Sequence, residues 1–294
     1  MNSLVYDMSM TLWEEPTALQ LDIDPLWEEK WTEGSVVHVY VSTLGGIAVG
    51  KDGSADTTLT RGTSWGEIYD AEKHLYLGNF DGTPVFAIMG DHPRQIPLRQ
   101  ALVGLQDHEV TLAIRAAALA QYHHRNRYCS TCGTRTTVTD VGRTRTCDSC
   151  GEIHFPRTDP AIIVAVTDES DRLLLGSHVG WEPGRFSVLA GFVEAGESLE
   201  YTVVRELREE VGLDVSQITY AGSQPWPMPR SLMVAFTAIA PSQEPIPDLT
   251  EIREARWFTR DDLRVAIKTG EITLPMSHSI AYRLITRWYG GPLA

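Results

Sequence analysis

One stretch of the chain, residues 191–213, constrains the fold more than any other part of the sequence. It reads GFVEAGESLEYTVVRELREEVGL. Gly191 and Gly196 allow a tight loop, and Ser198 is a good helix N-cap. The stretch therefore predicts a loop followed by a helix over residues 198–211. Its spacing is G-x5-E-x7-R-E-U-x-E-E-x-G-U, where U is aliphatic, filled by Gly191, Glu197, Arg205, Glu206, Leu207, Glu209, Glu210, Gly212 and Leu213.

The predicted helix has an apolar side and a neighbouring acidic side. Its leucines and valines recur at helical spacing and should face a core, while Glu206, Glu209 and Glu210 share the next sector. Carboxylates this close raise each other's pKa values, and Arg205 offsets only part of the repulsion. A divalent cation offsets it better, and carboxylate oxygens suit Mg²⁺ or Mn²⁺. A solvated acidic helix face is the alternative.

Apolar runs on both sides of this stretch predict an α/β domain. Residues 161–166, AIIVAV, are typical of a strand buried on both faces. The loop at Gly191 leaves directly from a predicted strand end, where α/β sheets usually bind ligands. The other predicted elements are strands at residues 173–175, 186–190, 232–239 and 256–258 and a helix at residues 277–288.

All four cysteines of the protein lie in two C-x-x-C pairs. Cys129 and Cys132 form the first pair, and Cys147 and Cys150 follow after fourteen intervening residues. Two such knuckles supply the four thiolates of a closed, tetrahedral structural zinc site. Two disulfides would require an oxidising compartment, and a redox C-x-x-C would explain only one pair. We therefore predict one structural Zn²⁺.

Five arginines lie in or beside this cysteine-rich segment and are opposed there by two aspartates. They predict a local positive surface that could meet phosphates, with an ordinary solvated surface as the alternative. The formal net charge of -14 disfavours broad affinity for nucleic acid. The five residues are Arg125, Arg127, Arg135, Arg143 and Arg145.

Residues 223–231 read SQPWPMPRS, with three prolines in five residues. Proline fixes φ and cannot donate to a sheet ladder, so the segment predicts a rigid loop. It presents Gln224, Trp226, Met228 and Arg230, which suit stacking on a base and hydrogen bonding to phosphate or ribose. A purely structural proline loop is the alternative.

The length of 294 residues is enough for about two domains. We divide the chain into an N-terminal α+β domain (1–122), a zinc ribbon (123–156) and the α/β domain (157–294). Strands at residues 36–41 and 85–89 and a helix from 107 to about 124 are predicted in the first part. The start, MNSLVYDMSMTLWEEP, has no basic segment followed by an apolar one, which favours the cytoplasm.

The stretch at residues 191–213 resembles the Nudix box, the signature of hydrolases that cleave a nucleoside diphosphate linked to another moiety. A zinc ribbon before the box and an S-Q-P-W-P-F-P-x-S segment after it resemble the NADH pyrophosphatase family, whose members are also NAD-capped RNA hydrolases. The likeness runs from about residue 98 to the C-terminus, and Met228 departs from it where the family has Phe. The resemblance implies an α/β protein: a Nudix α/β/α sandwich with a mixed sheet, preceded by the ribbon.

The resemblance also implies roles for individual residues. Glu206, Glu209 and Glu210 would be catalytic and would bind two or three Mg²⁺ or Mn²⁺ ions with the Ala190 carbonyl and Glu251, for which Glu254 is the rival. Cys129, Cys132, Cys147 and Cys150 would bind zinc. The implied substrate-binding residues are Phe155, Gln224, Pro225, Trp226, Pro227, Met228, Pro229, Arg230, Ser231, Ala281 and, less directly, Arg99.

The activity implied is metal-dependent hydrolysis of NADH or NAD⁺ to nicotinamide mononucleotide and AMP, and removal of the NAD cap from RNA. A homodimer is implied as well. One alternative is a Nudix pyrophosphatase for ADP-ribose or another nucleoside diphosphate derivative. The other alternative is a non-catalytic RNA-binding or regulatory protein that uses the ribbon, although the intact set of carboxylates argues against it.

Overall fold

The computed structural model describes residues 19–51, 57–59, 61–63 and 68–293. The N-terminal segment on which the cytoplasmic prediction rests lies outside these residues. The chain divides into two compact units, which meet in sequence at Arg157 and Thr158. None of the helices in the described ranges is long and apolar enough to span a membrane.

The unit before Thr158 is built on a large sheet. Within the described residues its strands pair in the order β1-β6-β7-β2-β3-β4, with β5 on β2 and β8 on β3. They are β1 (Leu19–Gln20), β2 (Val37–Val41), β3 (Ile47–Lys51), β4 (Thr57–Leu59), β5 (Arg61–Thr63), β6 (His74–Phe80), β7 (Thr83–Met89) and β8 (Gln95–Ile96). The helices are α1 (Trp27–Glu33), α2 (Leu98–Ala101) and α3 (Asp107–Arg125). The predicted strands β2 and β7 and the predicted helix α3 are confirmed, whereas β6 was missed.

The cysteine-rich segment forms a small antiparallel sheet with the order β11-β10-β9. Its strands are β9 (Thr136–Thr139), β10 (Thr144–Cys147) and β11 (Ile153–His154). Arg145 on β10 is only 1% exposed, and its guanidinium pairs with Glu72 at 3.1 Å. The prediction that it belongs to a positive surface is therefore wrong, because this arginine is an interior residue of the unit. Arg143 is exposed but pairs with Asp140 at 3.6 Å.

The unit after Arg157 is built on a mixed sheet. The order is β15-β16-β12-β13-β17, with β14 on β12; β12 and β16 are parallel and the other pairs are antiparallel. The strands are β12 (Asp159–Asp168), β13 (Leu173–His178), β14 (Leu189–Phe192), β15 (Ser216–Trp226), β16 (Ser231–Ala240) and β17 (Ile252–Phe258). The helices are α4 (Leu199–Val211), α5 (Arg260–Thr269) and α6 (Ile280–Tyr289).

Strand β12 separates two apolar cores. Ile162 and Val164 pack in one core with Val203, Leu207 and Val211 of α4. Ile163 and Ala165 pack in the other core with residues of α5 and α6. Neighbouring residues of a strand point to opposite faces, so the AIIVAV run is buried on both sides as predicted. The α/β/α sandwich with a mixed sheet is confirmed.

Several elements of this unit differ from the predictions: helix α5 was missed, β17 begins four residues before its predicted start, and β14 and β15 differ as well. The strand predicted from residue 186 begins at Leu189, because the backbone of Phe186 bonds to Thr273 and that of Ser187 to Gly176 instead. Strand β15 was not predicted because it contains Pro225, and a proline argues against a strand in the interior of a sheet. The strand lies at the edge of the sheet, where a residue without an N–H is tolerated.

Candidate active site

Helix α4 begins and ends as its sequence predicts. The Ser198 hydroxyl accepts a hydrogen bond from the backbone N–H of Tyr201 at 3.2 Å, and Gly212 closes the C-terminus in the left-handed conformation. Ser198 satisfies an N–H that has no partner within the helix, and glycine adopts a positive φ without strain. The helix therefore holds the glutamates of its last two turns on a rigid element.

Arg205 links the acidic side chains of this stretch. Its guanidinium donates to both carboxylate oxygens of Glu197, at 2.6 and 2.9 Å, to Glu206 at 2.9 Å and to Glu209 at 3.0 Å. It also donates to the backbone carbonyl of Phe192 at 3.0 Å. The hydrogen bonds from Arg205 lower the pKa of Glu197 to about 2. Glu197 thus anchors the arginine between the loop and the helix.

Glu206 and Glu210 are buried, whereas Glu209 is exposed. Glu206 is 8% exposed and Glu210 is 5% exposed, counted over the whole residue. The side chain of Glu209 is 62% exposed. Burial first, and then the negative charges of Glu206, Glu251, Asp248 and Glu209, raise the pKa of Glu210 to about 8. Burial also raises the pKa of Glu206.

The environment of Glu210 fits a divalent cation. Its Oε2 atom is buried and has no hydrogen-bond partner, although a buried polar atom normally has one. The charges of several carboxylates act on this buried group. A divalent cation with a preference for oxygen ligands would offset both the burial and the repulsion that raise the pKa of Glu210.

Strand β14 contains both Ala190 and Gly191. Ala190 pairs with Ile163, and Gly191 pairs with Ile162, in the ladder with β12. The carboxyl group of Glu206 fills the space beside Gly191 that a side chain would need. Ala190 is the residue before the glycine beside which the Glu206 carboxyl lies, and its role as a ligand stays a prediction.

Glu251 and Glu254 are the two candidates for the remaining metal-ligand position, and their surroundings differ. The charge of Glu251 contributes to the raised pKa values of Glu206 and Glu210. Glu254 instead pairs with Arg256 at 3.0 Å. The arrangement favours Glu251 over Glu254 as the partner of the α4 glutamates.

The four cysteines of the ribbon converge on one point. One sulfur from each residue lies within 4.8 Å of all the others, and three of the Sγ–Sγ distances are 3.4, 3.6 and 3.7 Å. A zinc ion with Zn–S bonds of about 2.3 Å needs thiolates separated by about 3.8 Å. The thiols are free rather than joined in disulfides. Among the described residues, no other three His, Cys, Asp or Glu side chains converge in this way.

The proline-rich segment is only partly a loop. Ser223 to Trp226 lie in β15, and Met228 and its neighbours form the turn into β16, with a cis peptide bond between Met228 and Pro229. The prediction of a loop over the whole segment is wrong for its first half, because these residues pair with β16. Pro227 and Ser231 are buried, Met228 is half-buried, and Pro225 and Pro229 are exposed.

Gln224 does not present its amide to solvent. The residue is 1% exposed. Its Nε2 donates to the carbonyl of His278 at 2.7 Å, and its Oε1 accepts from the N–H of Ile280 at 2.7 Å. Both ends of the amide therefore hold the start of α6, and with it the buried Ala281, against β15.

The remaining predicted substrate residues belong to both units. Arg230 pairs with Asp159 at 2.7 Å, and Trp226 is half-buried. In the other unit, Phe155 is 54% exposed and Arg99 lies in α2 with an exposed side chain.

Comparisons with known proteins agree with this arrangement. The NUDIX domain model matches residues 157–278, and the NADH pyrophosphatase zinc ribbon domain model matches residues 124–155. A protein of Pseudomonas aeruginosa (strain LESB58) named NAD-capped RNA hydrolase NudC is 40% identical over 215 residues, which are 71% of this chain and 74% of the relative. The chain belongs to the NudC family of Nudix hydrolases.

A second relative is consistent with this assignment. A protein of the same name from Chromobacterium violaceum is 42% identical over 216 residues, covering 71% of this Nudix hydrolase and 78% of the relative. The crystal structure of a NUDIX hydrolase from Nitrosomonas europaea aligns with a TM-score of 0.42 at 21% identity, over 56% of this chain and 94% of that one.

The sequence analysis of this Nudix hydrolase missed two residues that position the site. Thr202 donates its hydroxyl to Glu197 at 3.0 Å, and Asp248 lies close enough to raise the pKa of Glu210. Thr202 lies four residues after the Ser198 N-cap and could have been found by helical spacing. Asp248 lies in a loop 38 residues after Glu210, so only the fold relates the two.

Proposed function

We propose that this enzyme hydrolyses the diphosphate of NADH or NAD⁺ to nicotinamide mononucleotide and AMP, and that it removes the NAD cap from RNA to leave a 5′-monophosphate. The observation that carries the proposal is the likeness to NAD-capped RNA hydrolases at about 40% identity over both the zinc ribbon and the Nudix domain. The complete acidic set of α4 supports a catalytic protein rather than a binding protein.

The side chains of Glu206, Glu209, Glu210 and Glu251 and the carbonyl of Ala190 would hold two or three Mg²⁺ or Mn²⁺ ions. The orphaned Oε2 of Glu210 and the raised pKa of its carboxyl support this set. When bound, such ions neutralise the diphosphate and make a water molecule easier to deprotonate.

The protein's own residues would then position the diphosphate and accept a proton. Oε2 of Glu209 accepts from Arg205, so this carboxylate is oriented while its side chain stays exposed. We assign proton acceptance to Glu209, with Glu210 as the alternative. Arg205 keeps Glu197, Glu206 and Glu209 in one arrangement, and this fixed geometry is the main contribution of a protein to phosphoryl chemistry.

Zinc would have a purely structural role in this enzyme. Four thiolates fill the coordination positions of a tetrahedral ion and leave none for substrate or water. The three-part division at residues 1–122, 123–156 and 157–294 belongs to the same proposal, as do a homodimer and a cytoplasmic location.

The substrate assignment is tested with purified enzyme and Mn²⁺, by measuring kcat/KM for NADH, ADP-ribose and NAD-capped RNA. We expect NADH and the capped RNA to be preferred to ADP-ribose, and competition between the first two in one reaction ranks them. A clear preference for ADP-ribose would contradict the substrate assignment. Absence of any turnover with Mg²⁺ or Mn²⁺ would favour a non-catalytic protein.

A further inference from the structure

The turn at residues 248–252 joins the loop after β16 to β17 and carries Glu251. The carboxylate of Asp248 accepts hydrogen bonds from the backbone N–H of Glu251, at 3.1 and 3.2 Å, and from that of Ile252 at 2.8 Å. It also accepts from the hydroxyl of Thr250. One side chain therefore holds the backbone on both sides of the Glu251 side chain.

The same aspartate connects this turn to α4. Its backbone N–H donates to the carbonyl of Glu210 at 3.0 Å, and the N–H of Ile246 donates to the carbonyl of Val211 at 2.8 Å. The last carbonyls of a helix have no partner within the helix, so the loop satisfies two of them. Asp248 thus touches the backbone of both Glu210 and Glu251.

The turn is not a conformation that the chain would adopt unaided. Leu249 has φ of +63° and is 70% exposed. The left-handed region is unfavourable for a residue with a side chain, and an exposed leucine buries little apolar surface in return. The hydrogen bonds accepted by Asp248 hold this turn together with two backbone hydrogen bonds, from Leu249 N–H to the Ile252 carbonyl at 3.1 Å and from Val179 N–H to the Glu251 carbonyl at 2.8 Å.

We propose that Asp248 is a positioning residue that fixes Glu251 against α4, so that Glu251 and Glu210 bind the same divalent cation. The inference rests on the proposed function, because it assumes that these two glutamates are metal ligands. Asp248 acts through its hydrogen bonds with the turn and is not itself assigned as a ligand. Loss of its carboxylate would free Glu251 and weaken metal binding without removing any ligand.

The test measures Mn²⁺ binding to the full-length, zinc-loaded protein by electron paramagnetic resonance of free Mn²⁺. We expect Asp248→Ala to raise the Mn²⁺ dissociation constant about 10- to 100-fold, the usual effect of removing a residue that orients a metal ligand. Asp248→Asn keeps one acceptor oxygen and should give a smaller increase. If the alanine variant does not fold, the asparagine variant and Thr250→Val, which removes one donor to Asp248, provide the same test.

The matched control is Asp262→Ala. Asp262 also accepts from a backbone N–H and a hydroxyl, both of Thr259, at the start of α5. We expect this variant to lose stability and to bind Mn²⁺ with unchanged affinity. A double variant decides whether Asp248 acts through Glu251: adding Asp248→Ala to Glu251→Gln should weaken binding no further, whereas independent effects would add.

The outcomes separate the inference from the function on which it rests. If Glu251→Gln leaves Mn²⁺ affinity unchanged, the proposed ligand set fails. If Glu251→Gln weakens binding while the Asp248 variants bind as the wild type does, or if the two substitutions add, the positioning role of Asp248 is overturned.

Discussion

Gly191 lies directly against Glu206. A Cβ atom at position 191 would stand 1.9 Å from the carboxyl carbon of Glu206 and 2.0 Å from its Oε1, distances that no real contact permits. We therefore expect Gly191→Ala to displace the Glu206 carboxylate and to lower kcat/KM for NADH about 10- to 100-fold. Steady-state kinetics with Mn²⁺ checks this.

The control for that variant is Gly291→Ala, in the same unit. A Cβ there would meet no atom within 4 Å, so activity should be unchanged. Equal activity of Gly191→Ala and the wild type would show that Glu206 can move without loss and would weaken its assignment as a ligand.

Glu209→Gln should abolish most of the turnover, because glutamine cannot accept the proton. A general base contributes about 10²- to 10⁴-fold, so kcat should fall within that range. The side chain is exposed, and the fold and zinc content should stay intact when measured by circular dichroism and metal analysis. Glu200→Gln, on the exposed first turn of the same helix, should keep wild-type kcat. Near-normal activity of Glu209→Gln would refute the proton-acceptor role.

Arg145 should be one of the residues on which the stability of residues 19–157 depends. Besides Glu72, its guanidinium donates to the hydroxyl and the carbonyl of Thr136, both at 2.8 Å, and to Nδ1 of His123 at 3.2 Å. Arg145→Met removes the donor to these buried acceptors, at a cost of about 2–4 kcal/mol. Urea unfolding followed by zinc release to a chromogenic chelator measures this loss at the ribbon.

Arg143→Met is the matched variant for Arg145. Its partner Asp140 and its own side chain are both more than 40% exposed, and exposed pairs contribute about 0–1 kcal/mol. The zinc-release midpoint should therefore barely move. A similar shift for both arginines would contradict the interior role of Arg145.

His123 should make the stability of this unit depend on pH. Burial, followed by the positive charge of Arg145, lowers the pKa of His123 from 6.5 to about 4, although the hydrogen bond to the Gly142 carbonyl acts in the opposite direction. The unfolded chain then binds a proton at a pH where the folded chain does not. The contribution of neutral His123 to the free energy of unfolding is therefore complete above pH 6.5 and is lost as the pH falls towards 4. The loss is about 2 kcal/mol at pH 5.

The pH prediction is checked by urea unfolding at pH 8 and pH 5. His123→Gln should reduce the difference in unfolding free energy between the two values, since glutamine does not titrate there. His124→Gln, at an exposed position, should leave the difference as in the wild type. A pH dependence that is unchanged by His123→Gln would be inconsistent with a buried neutral imidazole.

The ribbon should contain one zinc ion for each chain. Cys150→Ser removes one of four ligands, and the protein has no other cysteine to replace it. We expect zinc content, measured by plasma mass spectrometry, to fall from about one to near zero, because structural zinc sites need all their thiolates. Retention of a full equivalent by this variant would contradict the four-thiolate site.

Local patterns predicted the elements that carry the chemistry. The N-cap at Ser198, the glycine at 212 and the helical spacing between them specify α4 within a short segment, since each signal acts over a few residues. The two C-x-x-C pairs specify the ribbon for the same reason. Both are described correctly by sequence alone.

Contacts between residues that are far apart in the sequence could not be predicted from local patterns. The arginines near the ribbon look alike in sequence, yet only packing against Glu72 and His123 makes Arg145 an interior residue. Gln224 looks available for substrate, but the carbonyl of His278, 54 residues away, uses its amide. No pattern among neighbouring residues predicts such a hydrogen bond.

The sequence by itself determined that this protein has a Nudix helix and a four-cysteine ribbon, because capping, periodicity and ligand spacing are properties of neighbouring residues. The tertiary structure decided which charges are buried and which polar side chains are already paired. These depend on segments far apart in the chain, and burial sets the energy of a charge only once those segments have packed together.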